Sequence, residues 1–179
     1  MNWMKKVAVA LVCLLPLGLQ AAKVDTLQVK SPSMNKSIEV VVVSPDMAAT
    51  EACPVIYLLH GYGGNARTWV GIKPDLPKIA DEKGIFFVCP DGKNTWYWDS
   101  PLNADVRYET FISDELVKYV DSHYKTVADR KGRAITGLSM GGHGAMWNGL
   151  RHSDVFSAAG STSGGVDIRP FPKNWEMSV

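Results

Sequence analysis

The chain has 179 residues, of which 46% are hydrophobic and 21% charged, with 16 Gly and 10 Pro. This is the composition of one ordinary globular domain, and it excludes disordered, collagen-like and disulfide-scaffold classes. Nineteen basic against 18 acidic side chains leave no bulk positive field to hold a polyanion, so nucleic acid is not an expected partner and function must sit in a local site.

Lys5 and Lys6 precede an apolar run, Val7 to Leu19, that closes on the small residues Ala21 and Ala22. This pattern predicts a secretory signal peptide over residues 1–21 and a domain over 22–179, secreted or periplasmic. The run is too short to span a bilayer, which needs roughly 20 apolar residues, so no stable membrane insertion is expected after cleavage. Export would place Cys53 and Cys89 in an oxidising compartment. They sit at opposite ends of two strands expected to be parallel neighbours, beyond the ~7 Å Cα separation that a disulfide tolerates, and are expected to stay unpaired.

Val24–Val29 and Ile38–Val43 read as two strands joined by the turn-rich 31–35 segment. Pro54–Leu59 and Ile85–Cys89 are continuous apolar runs, the pattern of strands buried on both faces. Between them Trp69–Lys83 has helical spacing, with Pro74 and Pro77 confining the helix to its later part. Tyr108–Tyr124 is amphipathic: Ile112, Leu116, Val120 and Tyr124 recur every four residues, broadened by Phe111 and Val117. Arg133–Leu138 predicts a strand, Gly142–Leu150 a helix and Phe156–Ser161 a sixth strand. Strand alternating with helix implies an α/β fold with a mostly parallel sheet and right-handed crossovers.

Gly137-Leu138-Ser139-Met140-Gly141 is a G-x-S-x-G pattern between a predicted strand and a predicted helix. Glycines at both flanks would allow a turn tight enough to lift the Ser139 hydroxyl into the open, and the helix would point its N-terminal dipole at developing negative charge. A serine nucleophile needs two backbone N–H donors for the oxyanion. Met140 is the expected first donor. Tyr62, within the Gly-rich loop His60-Gly61-Tyr62-Gly63-Gly64 that follows an earlier strand, is the expected second.

With Pro90-Asp91-Gly92, Trp96-Tyr97-Trp98-Asp99-Ser100, Tyr108-Glu109-Thr110-Phe111, His143-Gly144-Ala145 and Arg151–Phe156, these segments resemble the esterase group of α/β-hydrolases. That group includes S-formylglutathione hydrolases, feruloyl and acetyl-xylan esterases, and mycolyltransferases. The resemblance runs from about Val24 to Gly165. It implies the α/β-hydrolase fold, ester hydrolysis through an acyl-enzyme on Ser139, and no metal or other cofactor. It also implies that the loop carrying Trp96 and Trp98 lies beside the nucleophile. The expected substrate-contacting set is His60, Gly61, Gly63, Trp96, Trp98 and His143, acting on a small-molecule or carbohydrate ester.

The same resemblance calls for an acid and then a histidine after the serine. The acids after Ser139 are Asp154, Asp167 and Glu176, and the last histidine is His152. The sequence therefore reads as the N-terminal two-thirds of a hydrolase lacking its last strands. An apolar sheet edge and marginal stability are the expected consequences. His60 is expected to be a hydrogen-bonding scaffold, His143 to lie behind the hydroxyl, and His123 and His152 to complement helix ends. Scattered histidines without ligand spacing give no zinc pattern. Glu109 is expected to cap its helix or pair with Arg107. The setting of Trp96 and Trp98, beyond a strand end, favours an exposed aromatic wall. The pattern also suits an acyltransferase, or a binding module that has lost turnover and holds acylated glycans.

Overall fold

The computed structural model describes residues 22–167; the expected signal peptide lies outside them. Six strands form one sheet in the order β1-β2-β4-β3-β5-β6. β1 (Lys23–Ser31) and β2 (Lys36–Ser44) make an antiparallel hairpin, and β2 runs antiparallel to β4 (Phe86–Pro90). From β4 onward, β3 (Val55–Leu59), β5 (Arg133–Leu138) and β6 (Ala158–Thr162) are parallel neighbours. The result is the α/β-hydrolase arrangement.

Successive side chains of a strand point to opposite faces, and this divides the core in two. Val40, Val42, Tyr57, Leu59 and Val88 face one layer with Phe111, Ile112, Leu116 and Val120. Val41, Val43, Leu58, Phe87 and Cys89 face the other with Ala66, Leu76 and Ala80. Cys53 and Cys89 are both buried and free. No helix among the described residues is long and apolar enough to cross a membrane.

Helix boundaries depart from the periodicity in three places. The Trp69–Lys83 region holds two helices, α1 (Thr68–Ile72) and α2 (Leu76–Lys83), because the chain turns at Lys73–Asp75 and Pro77 is accommodated in the first turn of α2. The amphipathic run starts as α3 (Tyr108–Thr110), passes through a π turn over Phe111–Glu115 and resumes as α4 (Leu116–His123). Ser113 Oγ donates to the Glu109 carbonyl at 2.7 Å, a side-chain competitor inside the loosened turn. Finally α5 (Met140–Arg151) begins two residues before Gly142.

The edge strand β6 also differs from expectation, being built from exposed small and polar residues rather than apolar ones. In α5 and the chain after β6, Leu150 (71%) and Val166 (70%) are the exposed large apolar residues.

Glu109 neither caps its helix nor pairs with Arg107. Arg107 precedes the helix in a non-helical conformation, whereas buried Glu109 faces α5. Its Oε1 accepts from Arg151 Nε at 2.7 Å and His152 Nε2 at 2.8 Å, and its Oε2 from Trp147 Nε1 at 2.7 Å. Burial pushes this carboxyl up, but the hydrogen bonds from Arg151, Trp147 and His152 outweigh it and hold the group below its usual range. A pKa lowered by folding adds stability above the unfolded value, about 4.3, and that stability is lost as pH falls through the folded value. The melting temperature of the parent is therefore expected to fall more steeply between pH 5 and pH 3 than that of Glu109→Gln. Parallel thermal scans check this, and equal slopes would contradict it.

Candidate active site

Ser139 stands at the turn from β5 into α5 with φ 54° and ψ −117°, a conformation costing on the order of 1–3 kcal/mol in a non-glycine residue. Its neighbours make any side chain at the flanking positions impossible. A Cβ on Gly137 would sit 2.3 Å from the Gly141 carbonyl group, and one on Gly141 would sit 2.2 Å from the Leu59 carbonyl oxygen. Gly137, Met140 and Gly141 are buried while Ser139 is exposed. The Ser139 N–H is held by the Thr162 carbonyl at 2.8 Å, and the Ser139 carbonyl accepts from His143 N at 3.0 Å. Because His143 donates this first intrahelical bond, the Met140, Gly141 and Gly142 N–H groups belong to the unpaired first turn of α5.

The loop after β3 lies against this turn: a Cβ on Gly61 would be 3.4 Å from Ser139 Cβ. Gly64 N donates to Gly61 O at 3.0 Å, closing a tight turn whose third residue, Gly63, takes φ 76°. Gly63 N donates to Asn94 Oδ1 at 2.8 Å, and Tyr62 is half-buried. His60, 1% exposed, lies beneath. Its Nδ1–H donates to Gly61 O at 2.7 Å and its Nε2 accepts from Gly92 N at 2.9 Å, which assigns the neutral Nδ1–H tautomer. Asp91 Oδ1, 3.5 Å from Nε2, is then an electrostatic neighbour. Burial pushes the Asp91 carboxyl up, yet hydrogen bonds from the Lys93 ammonium and N–H hold it well below the carboxylate range. His60 is thus the scaffold residue expected, underneath the loop rather than in contact with the site's open face.

Tyr97, in the middle of the aromatic segment, ties these pieces together. Its hydroxyl donates to the His60 carbonyl at 3.0 Å, and Asn148 Nδ2 donates to its carbonyl at 3.0 Å. The ring is fully buried between Gly92 and Gly144, where added Cβ atoms would come within 2.0 and 2.5 Å of it. Burial pushes the phenol well above its usual pKa, so it remains a donor throughout the physiological range. The available signal was the pair of glycines, Gly92 and Gly144, which make room for a large ring.

The exposed aromatic wall is corrected by the structure. Trp96 is 7% exposed, and the backbone at Trp96 and Tyr97 takes positive φ, which turns their side chains inward. Trp98 remains half-buried. His143 sits among indoles, with ring centroids 5.3 Å from Trp96, 5.6 Å from Trp98 and 6.2 Å from Trp147. Its Nδ1 donates to Gly165 O at 2.6 Å, and its Nε2 is buried with no hydrogen-bond partner among the described residues. Burial lowers its pKa, against the pull of the Gly165 bond. His143 therefore stays neutral behind the elbow. An apolar groove of about 320 Å³ opens beside it, between Trp147, Leu150 and Val166.

All four histidines of the chain can be placed. His60 serves the loop, His143 bonds Gly165, His152 bonds Glu109, and His123 bonds the Tyr119 carbonyl at 2.8 Å. Among the described residues, no group of three His, Cys, Asp or Glu side chains could hold a metal ion.

A parallel sheet carrying a strained, exposed serine between strand and helix defines the α/β-hydrolase class. Residues 31–177 match the Esterase family model, and the chain belongs to that family. It is 30% identical over 149 residues to an esterase of Mycobacterium tuberculosis, covering 79% of this chain and 32% of the relative. It is 32% identical over 158 residues to a diacylglycerol acyltransferase/mycolyltransferase of Mycobacterium leprae, covering 80% and 44% respectively. Among solved structures, a ferulic acid esterase superposes with a TM-score of 0.73 at 31% identity, covering 87% of this chain and 64% of that one. The chain spans less than half of the length of these curated relatives.

Tyr97→Phe removes the donor to the His60 carbonyl while keeping the ring. A loss of about 1–3 kcal/mol in urea unfolding is expected for the buried oxygen left unpaired. An unchanged unfolding midpoint would show that the hydroxyl does not hold the loop.

Proposed function

We propose that Ser139 is the nucleophile of a serine carboxylic-ester hydrolase acting through an acyl-enzyme. The observation that carries this reading is the conformation of Ser139: strained, exposed, and set at the unpaired first turn of α5. In the reaction, Oγ attacks the ester carbonyl as its proton passes to a general base. The carbonyl oxygen becomes an oxyanion held by the Met140 and Tyr62 N–H groups. The C–O bond to the alcohol then breaks, the alcohol leaves with the proton, and water repeats the sequence on the acyl-enzyme. No metal or cofactor enters these steps.

The base is the remaining requirement. Each of the four histidines is committed to a partner other than the Ser139 hydroxyl, and His143 is turned into an indole cage. We infer that the base is a histidine other than these four, oriented by an acid, and that the 179-residue chain alone turns over slowly or not at all. Acyl or feruloyl esters of carbohydrates, or small thioesters, are the proposed substrates, consistent with the similarity to a ferulic acid esterase. The N-terminal pattern supports a secreted or periplasmic setting. The similarity to a mycolyltransferase supports a second reading, in which a sugar hydroxyl replaces water as acyl acceptor.

Labelling with a fluorophosphonate, followed by peptide mass mapping, tests the assignment. Protein from its native source is expected to carry one adduct on Ser139 and Ser139→Ala none. The isolated 179-residue chain is expected to react at least about 10³-fold more slowly. Labelling that persists in Ser139→Ala would overturn the nucleophile, and rapid labelling of the isolated chain would overturn the inference about the base. A native protein that takes no label and still binds acylated glycans would be a binding module.

A further inference from the structure

A second cavity, of about 450 Å³, opens on the rim of the sheet at the carboxyl end of β4, on the far side of the His60–Gly64 loop from Ser139. Its walls come from the end of the β1–β2 hairpin, from the chain following the Gly-rich loop, and from the turn after β4. Gln28 and Glu39 are direct cross-strand partners there, and Asp91 N donates to the Glu39 carbonyl at 2.9 Å, which fixes the two carboxylates in register.

The side chains form a mixed array of donors and acceptors. Three cations rim the cleft, and each is engaged away from Glu39. Lys36 Nζ donates to Asp105 O at 2.5 Å and lies over the Tyr108 ring, Arg67 Nη1 donates to Thr26 Oγ1 at 3.0 Å, and Lys93 Nζ pairs with Asp91 at 2.5 Å. Glu39 is half-buried, yet among the described residues its carboxylate has no hydrogen-bond or ion-pair partner. The apolar members, Ile38 and Tyr108, are buried.

This chemistry discriminates between ligands. An acyl or feruloyl group would need a mostly apolar surface, which the Trp147 groove has, whereas the lining of this cleft is about half polar. A simple anion would meet the carboxylates of Glu39 and Asp91. A ligand with neighbouring hydroxyls, each able to donate to a carboxylate and accept from an ammonium or guanidinium group, meets neither obstacle. Position adds a second constraint. β2 lies three strands from β5, or roughly 14 Å at the usual strand spacing of about 4.8 Å. That is the reach of a short oligosaccharide rather than of a single ring.

We propose that this cleft is a distal subsite for the sugar chain on the alcohol side of the ester, with Glu39 and Arg67 as its principal contacts. Its orientation toward Ser139 rests on the esterase reading above; the binding itself does not.

Titration of the 15N-labelled chain with xylotriose and with cellotriose, followed by amide NMR, tests it. At least one is expected to bind saturably in the millimolar range, shifting amides around Gln28, Glu39, Arg67 and Lys93. Glu39→Ala and Arg67→Ala, with unfolding midpoints verified as unchanged, are each expected to weaken binding about tenfold or more. Ser139→Ala is expected to bind as the parent does. If neither sugar saturates, or the shifts gather instead around Trp98 and Trp147, the subsite is overturned. The outcomes separate from the esterase test: a chain labelled on Ser139 that binds neither sugar loses the subsite alone. One that binds here while its native protein takes no fluorophosphonate loses the esterase reading alone.

Discussion

The approach of the first turn of α5 to the end of β3 governs the geometry of everything around it. With hydrogen in place of a side chain, Gly141 lets the helix backbone settle onto the Leu59 and His60 carbonyls. Any larger residue would push α5 outward, flatten the turn at Ser139 and lift the helix N-terminus away from the Gly-rich loop. Close packing transmits such a shift, because interiors have little free volume to absorb it. The same approach brings Gly61 against Ser139, so the serine and the loop expected to face the substrate are positioned by one contact between backbones.

Around that contact the structure uses polar groups as spacers. His60 joins Gly61 to Gly92 through its two ring nitrogens, and Tyr97 joins His60 to α5. Both His60 ring nitrogens and the Tyr97 hydroxyl are satisfied by these bonds, the arrangement in which polar groups add rigidity instead of cost. Glu109 holds the same C-terminal half of α5, collecting Trp147, Arg151 and His152 on one carboxylate. The C-terminal half of the helix that follows the serine is thereby fastened by residues from the Trp96–Trp98 loop and from α3.

Most of the fold was legible because its signals are local. Period-two alternation and continuous apolar runs located all six strands, and the four-residue repeat found α3 to α4, though not its π turn, within which Ser113 bonds back to the Glu109 carbonyl. The elbow was legible because a steric requirement at Gly137 and Gly141 leaves a direct trace in composition. The Trp96–Trp98 segment was misjudged for the opposite reason. Its inward turn depends on positive φ at Trp96 and Tyr97 and on space supplied by the nearby Gly92 and by Gly144, which is distant in sequence. Glu109 was misassigned likewise, since Arg107 was near in the chain whereas Arg151 is near in space.

The bond from the Ser139 N–H to the Thr162 carbonyl has an implication for how the site responds to its surroundings. Thr162 ends β6, an edge strand whose side chains are largely exposed and which, among the described residues, is hydrogen-bonded to β5 on one side only. The torsion angles of the nucleophile are thus clamped by the least supported strand of the sheet. Fraying of β6 would release that clamp, and any segment adding itself along its open side would tighten it. Edge-strand occupancy and nucleophile preorganisation are therefore two readings of one mechanical coordinate.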